Sequence, residues 1–345
     1  MKNLVMPYLK NANGSILIFV IWALIFLTVL AVQIGMRVRA RVGLLARIER
    51  KSQLHHIAGA GIKLARAALR NDQRRNKGLY TAYSKYYLSN NSELFENKSL
   101  GQGFFSVTYP YYDGSSLTPQ MRFGLVDEES KLNINYCPKE ILLLLIRQVA
   151  VPDEDEALVL TEALIDWREF GESQITGFYS DDFYANLEDP YEPKNNVFEL
   201  PEELLLLRGM TPSIYDILRP FITMYGDGKV NINTVSKEIL VSLGLQPATA
   251  DKILRVRRGY DEIEGTVDDY VFNRAYDVSS DIKNFIELEQ HEANAIDRLN
   301  FDGVIKTASS YYTIRSRARI ASGYNHTIEC VLNLDQNRYE YWREK

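Results

Sequence analysis

The sequence predicts an α+β chain organised on one long N-terminal helix, with a helix-rich block set between two groups of strands. Three observations predict this class. An uncharged apolar run near the start passes into a segment without proline, strand-like alternation marks residues 104–126 and 310–342, and helical periodicity dominates between them. The chain has 345 residues, 46% hydrophobic and 25% charged, a composition that supports a buried core and excludes a disordered or collagen-like polymer.

Residues 15–36, SILIFVIWALIFLTVLAVQIGM, carry no charge until Arg37. Such a run meets the roughly 20-residue length of a bilayer-crossing helix, so one transmembrane segment is expected. It is long for a cleaved secretory signal, and no small-x-small site follows it. No proline occurs from there until Pro110. Val38, Val42, Leu45 and Ile48 recur at helical spacing, as do Ile57, Gly61, Leu64, Ala65 and Ala68. A single helix is therefore expected from Ile16 to about Leu69, roughly 80 Å long at the usual rise, with residues 37–70 as an amphipathic continuation. Gly35, Gly43, Gly59 and Gly61 are the points where it can bend or break.

Charge divides the chain in two. Residues 1–77 hold 14 Lys or Arg against Glu49 and Asp72, a net of +12, whereas residues 78–345 have a net of -17. Lys2 and Lys10 precede the apolar run and six basic residues follow within 15 positions, so charge counting alone retains the body in the cytoplasm. The acidic body argues against a nucleic-acid binder.

Residues 71–98 are polar and rich in tyrosine, as a connection would be. Phe104–Tyr109 and Met121–Val126 read as strands around the turn signal at 113–116. Near the C-terminus, Tyr312, Ile314, Ala318 and Ile320 alternate with Arg315, Arg317 and Arg319, and 327–334 and 338–342 continue as an antiparallel meander. The arginines are expected on a solvated strand face. Residues 71–130 and 300–345 thus form the sheet-bearing core, and 131–299 the inserted helical domain.

That inserted block holds a repeat. KLNINYCPKEIL at 131–142 returns as KVNINTVSKEIL at 229–240, identical at eight of twelve positions. Each copy reads as a short extended piece entering a helix, with Pro138 suited to a first turn and Glu140 and Glu238 to a positive helix N-terminus. Residues 243–253 look like a helix-hairpin-helix element in which Gln246 replaces the second glycine, and 208–212 form a similar turn; both are expected to pack rather than hold phosphate. Cys137 and Cys330 read as independent thiols. The four histidines, His55, His56, His291 and His326, have no nucleophile to serve, and the chain reads as a non-enzyme.

Several strings taken in order resemble the type II secretion system protein K family, the large minor pseudopilins. They are DWR at 166–168, DDFY at 181–184, PYEPKN at 190–195, EELLLLRGMTP at 202–212, GKVNINT at 228–234 and SSYY at 309–312, behind a hydrophilic leader ending in Asn13 and Gly14. The resemblance implies a pseudopilin fold, a long N-terminal helix packed on an antiparallel sheet, with a large helical domain inserted between strands. It implies a leader, residues 1–14, cut by a prepilin peptidase between Gly14 and Ser15, methylation, a single-pass anchor in the bacterial inner membrane and a periplasmic body. Implied partners are minor pseudopilins I and J at the tip of a pseudopilus that exports folded proteins, without nucleic acid.

The same resemblance implies calcium in the inserted domain. Glu169, Glu172, Asp181, Asp182, Asp189 and Glu192 supply the hard oxygen ligands that calcium takes. Phe19 stands fifth after the expected cut, where most pilin-like subunits carry a glutamate that neutralises a neighbour's N-terminal amine; a subunit with Phe19 suits the tip. The alternative function is a membrane-anchored helix-hairpin-helix DNA receptor of the competence type, which accounts only for residues 229–258.

Overall fold

The computed structural model of the protein describes residues 13–75, 90–111, 120–168, 180–266, 268–321 and 323–345. It divides into two compact units, one ending at Leu54 and the other running from His55 to Lys345. Helix α1 (Asn13–Arg75) supplies the described part of the first unit and enters the second. In the first unit every large apolar side chain from Ile16 to Met36 is exposed, a surface that lipid solvates and water does not. The helix is long and apolar enough to cross a membrane. Val38, Val42, Leu45 and Ile48 are exposed as well. The helix extends beyond the expected end at about Leu69, and none of Gly35, Gly43, Gly59 and Gly61 interrupts it.

In the second unit α2 (Ser92–Phe95), β1 (Lys98–Leu100), β2 (Gly103–Tyr111), β3 (Gln120–Phe123) and β4 (Val126–Asp127) follow α1. The inserted domain then runs through β5 (Leu132–Asn133), α3 (Lys139–Val149), α4 (Glu154–Arg168), α5 (Ser180–Ala185), α6 (Pro212–Leu218), β6 (Ile222–Thr223), β7 (Val230–Asn231), α7 (Lys237–Ser242), α8 (Pro247–Arg257), α9 (Val278–Lys283), α10 (Gln290–Phe301) and β8 (Ile305–Lys306). Strands β9 (Tyr311–Ile320), β10 (Asn325–Asn333) and β11 (Arg338–Glu344) end the chain. Residues 71–98, expected as a bare connection, include α2 and the start of β1 among their described part; the turn signal at 113–116 lies outside the described residues.

Among the described residues one antiparallel sheet has the order β1-β2-β9-β10-β11, with β3 paired to β2 and β4 to β9. Strands from before and after the insertion are therefore neighbours, Phe105 opposite Ala318 and Val126 opposite Thr313. The inserted domain leaves and re-enters the sheet at one place, which is why so long an insertion leaves the sheet intact.

The period-2 pattern of β9 holds in register: Ile314, Ser316 and Ala318 are buried, while Arg315 pairs with Glu329 on β10 at 2.5 Å and Arg319 lies over the Phe104 ring. On α1, Ile57, Ala58, Gly61, Ile62, Ala65 and Leu69 form the buried stripe, with Leu64 and Ala68 at its flanks rather than within it. Gly61 serves contact rather than bending. A Cβ there would overlap the Ser316 Oγ and stand 2.9 Å from Phe105 Cδ2. The two buried thiols occupy separate places, Cys137 in the core of the inserted domain and Cys330 on β10, and both are free; burial pushes each up to about 12.

Gly61→Ala is expected to lower stability by about 1–3 kcal/mol, the usual cost of overpacking. Thermal melting of the detergent-extracted chain measures it. Adding Ser316→Ala should recover part of the loss because it removes the overlapping oxygen, and equal melting of wild type and Gly61→Ala would show that α1 does not approach β9 this closely.

Candidate functional site

The repeat folds as two matching halves. In the first, β5 pairs in parallel with β6, Leu132 opposite Ile222; in the second, β7 pairs in parallel with β8, Val230 opposite Ile305. The first Asn of each Asn-Ile-Asn string accepts from the backbone N–H two residues on: Asn133 Oδ1 from Asn135, and Asn231 Oδ1 from Asn233. The second Asn of each makes a two-way bond to the backbone of a phenylalanine. Asn135 donates to Phe198 O and accepts from Phe198 N, and Asn233 does the same with Phe272. Each helical hairpin, α3–α4 and α7–α8, ends in an arginine that donates into its own copy: Arg168 to the carbonyls of Ile134 and Cys137, Arg257 to that of Val235.

These arginines escape sequence comparison for a geometric reason. Arg168 follows Lys131 by 37 residues and Arg257 follows Lys229 by 28. Helices α3 and α7 have 11 and 6 residues, α4 and α8 have 15 and 11, and the intervening loops are of equal length, so the nine-residue difference lies wholly in added helical turns. Pro138 stands at the N-cap of α3, one position before the expected first turn. In the turn between α7 and α8 the Gly244 and Leu245 amides donate to the carbonyls of Val241 and Leu240, which takes them away from any phosphate.

Both halves are fastened to the sheet by three consecutive acids. Asp127 ends β4 and Glu128 and Glu129 follow it directly; the three carry no motif, so only the structure singles them out. Asp127 Oδ2 accepts from Asn231 (2.9 Å), Thr234 (2.6 Å) and Ser309 (2.7 Å), all at the second half. Glu128 accepts from Lys131 and Thr223 of the first half and from Thr313 of β9, each at 2.7 Å. Glu129 accepts from Lys306 of β8 at 2.5 Å and from the Ser310 amide at 2.6 Å. Gly226, at φ +93°, leaves the space Glu129 needs, for a Cβ there would lie 2.6 Å from Glu129 Oε1.

Burial raises Asp127 above the ordinary carboxylate value despite its three donors. For Glu128 burial also raises, but Lys131 together with the Thr313 and Thr223 hydroxyls outweighs it and holds the carboxyl below 4.5. Lys306 loses by burial and gains more from Glu129 and Asp227, so it is held above its ordinary value. Beside this junction the described residues leave a cavity of about 1170 Å³ with an aromatic wall that includes Tyr109, Phe221, Tyr225, Tyr312 and Tyr341.

The expected calcium ligands are distributed unevenly. Glu169 and Glu172 lie outside the described residues, Asp181 and Asp182 belong to the backbone of α5, and Asp189 and Glu192 are exposed. Arg168 and Phe198 are 30 residues apart, whereas Arg257 and Phe272 are 15 apart, so the acidic stretch is an enlargement of the first half alone. An aromatic cluster joins its described ends: Trp167 meets the rings of Tyr184, Tyr191 and Phe198 at 5.9–6.4 Å, and its indole donates to Glu203. In the corresponding loop of the second half two carboxylates serve its own turns, Asp268 accepting from the Tyr260 and Asp261 amides and Asp269 from that of Gly265, while Glu264 pairs with Arg257. Gly14 and Ser15 lie in the backbone of α1, residues 1–12 of the expected leader lie outside the described residues, and Phe19 is exposed.

A long helix packed on an antiparallel sheet, interrupted by a helical domain at one sheet position, is the pseudopilin fold. Residues 125–227 of this chain match the family model for Type II secretion system (T2SS), protein K, a stretch coincident with the acids and the first half of the repeat. Over 148 residues it is 29% identical to the type II secretion system protein K of Aeromonas hydrophila, a match covering 41% of this chain and 44% of that protein's length. Its fold is similar to that of a chain in the crystal structure of the GspK-GspI-GspJ complex from the enterotoxigenic Escherichia coli type 2 secretion system, with a TM-score of 0.59 and 15% identity, covering 87% of this chain and 98% of that one.

Lys131→Met leaves Glu128 buried without its cation and is expected to cost about 3–5 kcal/mol at neutral pH. Because Glu128 is depressed when folded, the stability it contributes is present above pH 4.5 and is lost as pH falls through its folded value. The gap between wild type and variant in denaturant titrations should therefore close below pH 4.5. Asp127, raised by burial, shifts the other way but does so in both proteins; a gap independent of pH would reject the assignment.

Proposed function

We propose that this protein is a minor pseudopilin at the tip of the type II secretion pseudopilus. Residues 15–36 anchor it in the bacterial inner membrane with its body in the periplasm, and it nucleates assembly with minor pseudopilins I and J for the export of folded proteins. It acts as a structural subunit rather than as an enzyme. The observation that carries this reading is the match to the protein K family model over residues 125–227, in a helical domain set into an antiparallel sheet behind an apolar helix.

The apolar stripe Val38, Val42, Leu45 and Ile48 offers partner helices a packing face. A prepilin peptidase removes residues 1–14, cutting before Ser15. Phe19 then has no carboxylate to meet a neighbour's amine within the bilayer, where an unpaired charge is costly, and this favours the tip over the repeating shaft. Photo-cross-linking from residue 45 in cells should capture one copy bound to the small minor pseudopilins, and the captured chain should begin at Ser15. Ladders of self-cross-links, or a captured chain beginning at Met1 with the peptidase present, would refute the tip assignment or the cut respectively.

Calcium is the cofactor we propose for the stretch from Trp167 to Asn195. Its donor set fits, since Glu169, Glu172, Asp181, Asp182, Asp189 and Glu192 offer only hard carboxylate oxygens. Binding would cancel the repulsion among them and hold the loop between ends already joined by the Trp167 cluster. Millimolar calcium should raise the melting temperature and slow proteolysis between Trp167 and Asn195. Identical melting and cutting in chelator and in calcium would reject it.

A further inference from the structure

His326 is the exception among the histidines. It lies on β10 at 7% exposure, and its buried Nε2 makes no hydrogen bond. Unmet polar atoms of this kind are rare in native interiors. The nitrogen is 3.3 Å from Glu344 Oε2 on β11, close enough for an ion pair but not aligned as a hydrogen bond. The same carboxylate oxygen lies 3.2 Å from Nδ1 of His55 on α1. One ligand atom from each of the three residues lies within 4.8 Å of the other two.

The sheet builds this cluster. Ile328, two residues after His326, pairs with Glu344, so His326 and Glu344 are diagonal neighbours on one sheet face. His326, Ile328 and Cys330 alternate as buried positions of that strand, and His55 begins the part of α1 within this unit, two residues before the buried Ile57. Trp342, also on β11, donates its indole N–H to Glu344 Oε1 at 2.8 Å, which orients the carboxylate while Oε2 faces the two imidazoles. An outer donor that fixes a ligand in this way is a common feature of metal centres.

We propose that His55, His326 and Glu344 form a binding site for a divalent transition metal of the zinc type, with a fourth position open to water or to a side chain of another subunit. Two imidazole nitrogens and one carboxylate oxygen are a donor set that zinc takes with one position to spare, and one that calcium, which selects oxygen ligands, does not favour. The metal would give the orphaned His326 Nε2 its partner. It would also tie the helix to the last two strands and stabilise the sheet edge that β11 forms. The site is far in sequence from the acidic stretch of residues 167–195 and does not depend on the secretion reading.

The full-length chain, extracted in detergent and stripped by chelator, tests it. Zinc titrated against a chromophoric chelator should bind at one equivalent with a Kd tighter than about 1 μM, and cobalt should give the intense visible bands of a four-coordinate centre. His55→Gln and Glu344→Gln alter partly exposed side chains and should each weaken zinc at least tenfold while the metal-free melting temperature changes little. His326→Gln should abolish binding, and Glu192→Gln in the acidic stretch should leave it unchanged. No stoichiometric zinc at micromolar concentration, or equal affinity in His55→Gln and Glu344→Gln, would overturn the proposal.

Discussion

Three consecutive carboxylates at 127–129 hold this fold together, because both halves of the inserted domain and the central strand β9 converge on them. Asp127 takes the second half, Glu128 the first half and β9, and Glu129 the strand by which the chain leaves the insertion. Withdrawing adjacent acids from water, Glu128 and Glu129 fully and Asp127 in part, is costly unless each is met by cations and hydroxyls. Here Lys131, Lys306, Thr223, Thr234, Thr313 and Ser309 meet them. Such a network confers orientation more than raw stability, since it is satisfied only when both halves stand correctly on the sheet.

The doubling of the inserted domain places its acidic stretch. Both copies keep the two-way Asn–Phe bond and the terminal arginine, so they share one internal frame. The first copy alone extends the span between its arginine and its phenylalanine, and the acidic stretch lies in that extension. A loop enlarged on a frame already rigid elsewhere is a suitable place for a binding function. The family match ends where the first copy ends, so the part shared most clearly with protein K is the part with this elaboration.

The two interfaces of α1 follow different rules. Toward the sheet the helix uses small residues, Ala58, Gly61 and Ala65, between larger ones, which permits close approach to Ser316 and Phe105. In its N-terminal part it presents isoleucine, leucine, valine and phenylalanine on every side, as lipid rather than a protein core demands. The change occurs within one helix without a break, so the glycines that suggested hinges act as spacers or lie on open surface.

The sequence by itself determined the membrane helix, the strands on either side of the insertion and the Asn-Ile-Asn repeat, because these are local: hydropathy, period-2 alternation and a twelve-residue string need no distant partner to be read. It also carried the acidic stretch and the likeness to protein K. Only the tertiary structure decided which residues fasten these pieces. Arg168 and Arg257 were hidden by helices of unequal length, and Asp127, Glu128 and Glu129 by their resemblance to an ordinary polar turn. The His55, His326 and Glu344 cluster was hidden by a separation of 289 positions between its ends. Charge and hydrogen-bond complementarity act through space, and sequence separation carries no record of it until the sheet has brought β4 beside β9 and β11 beside β10.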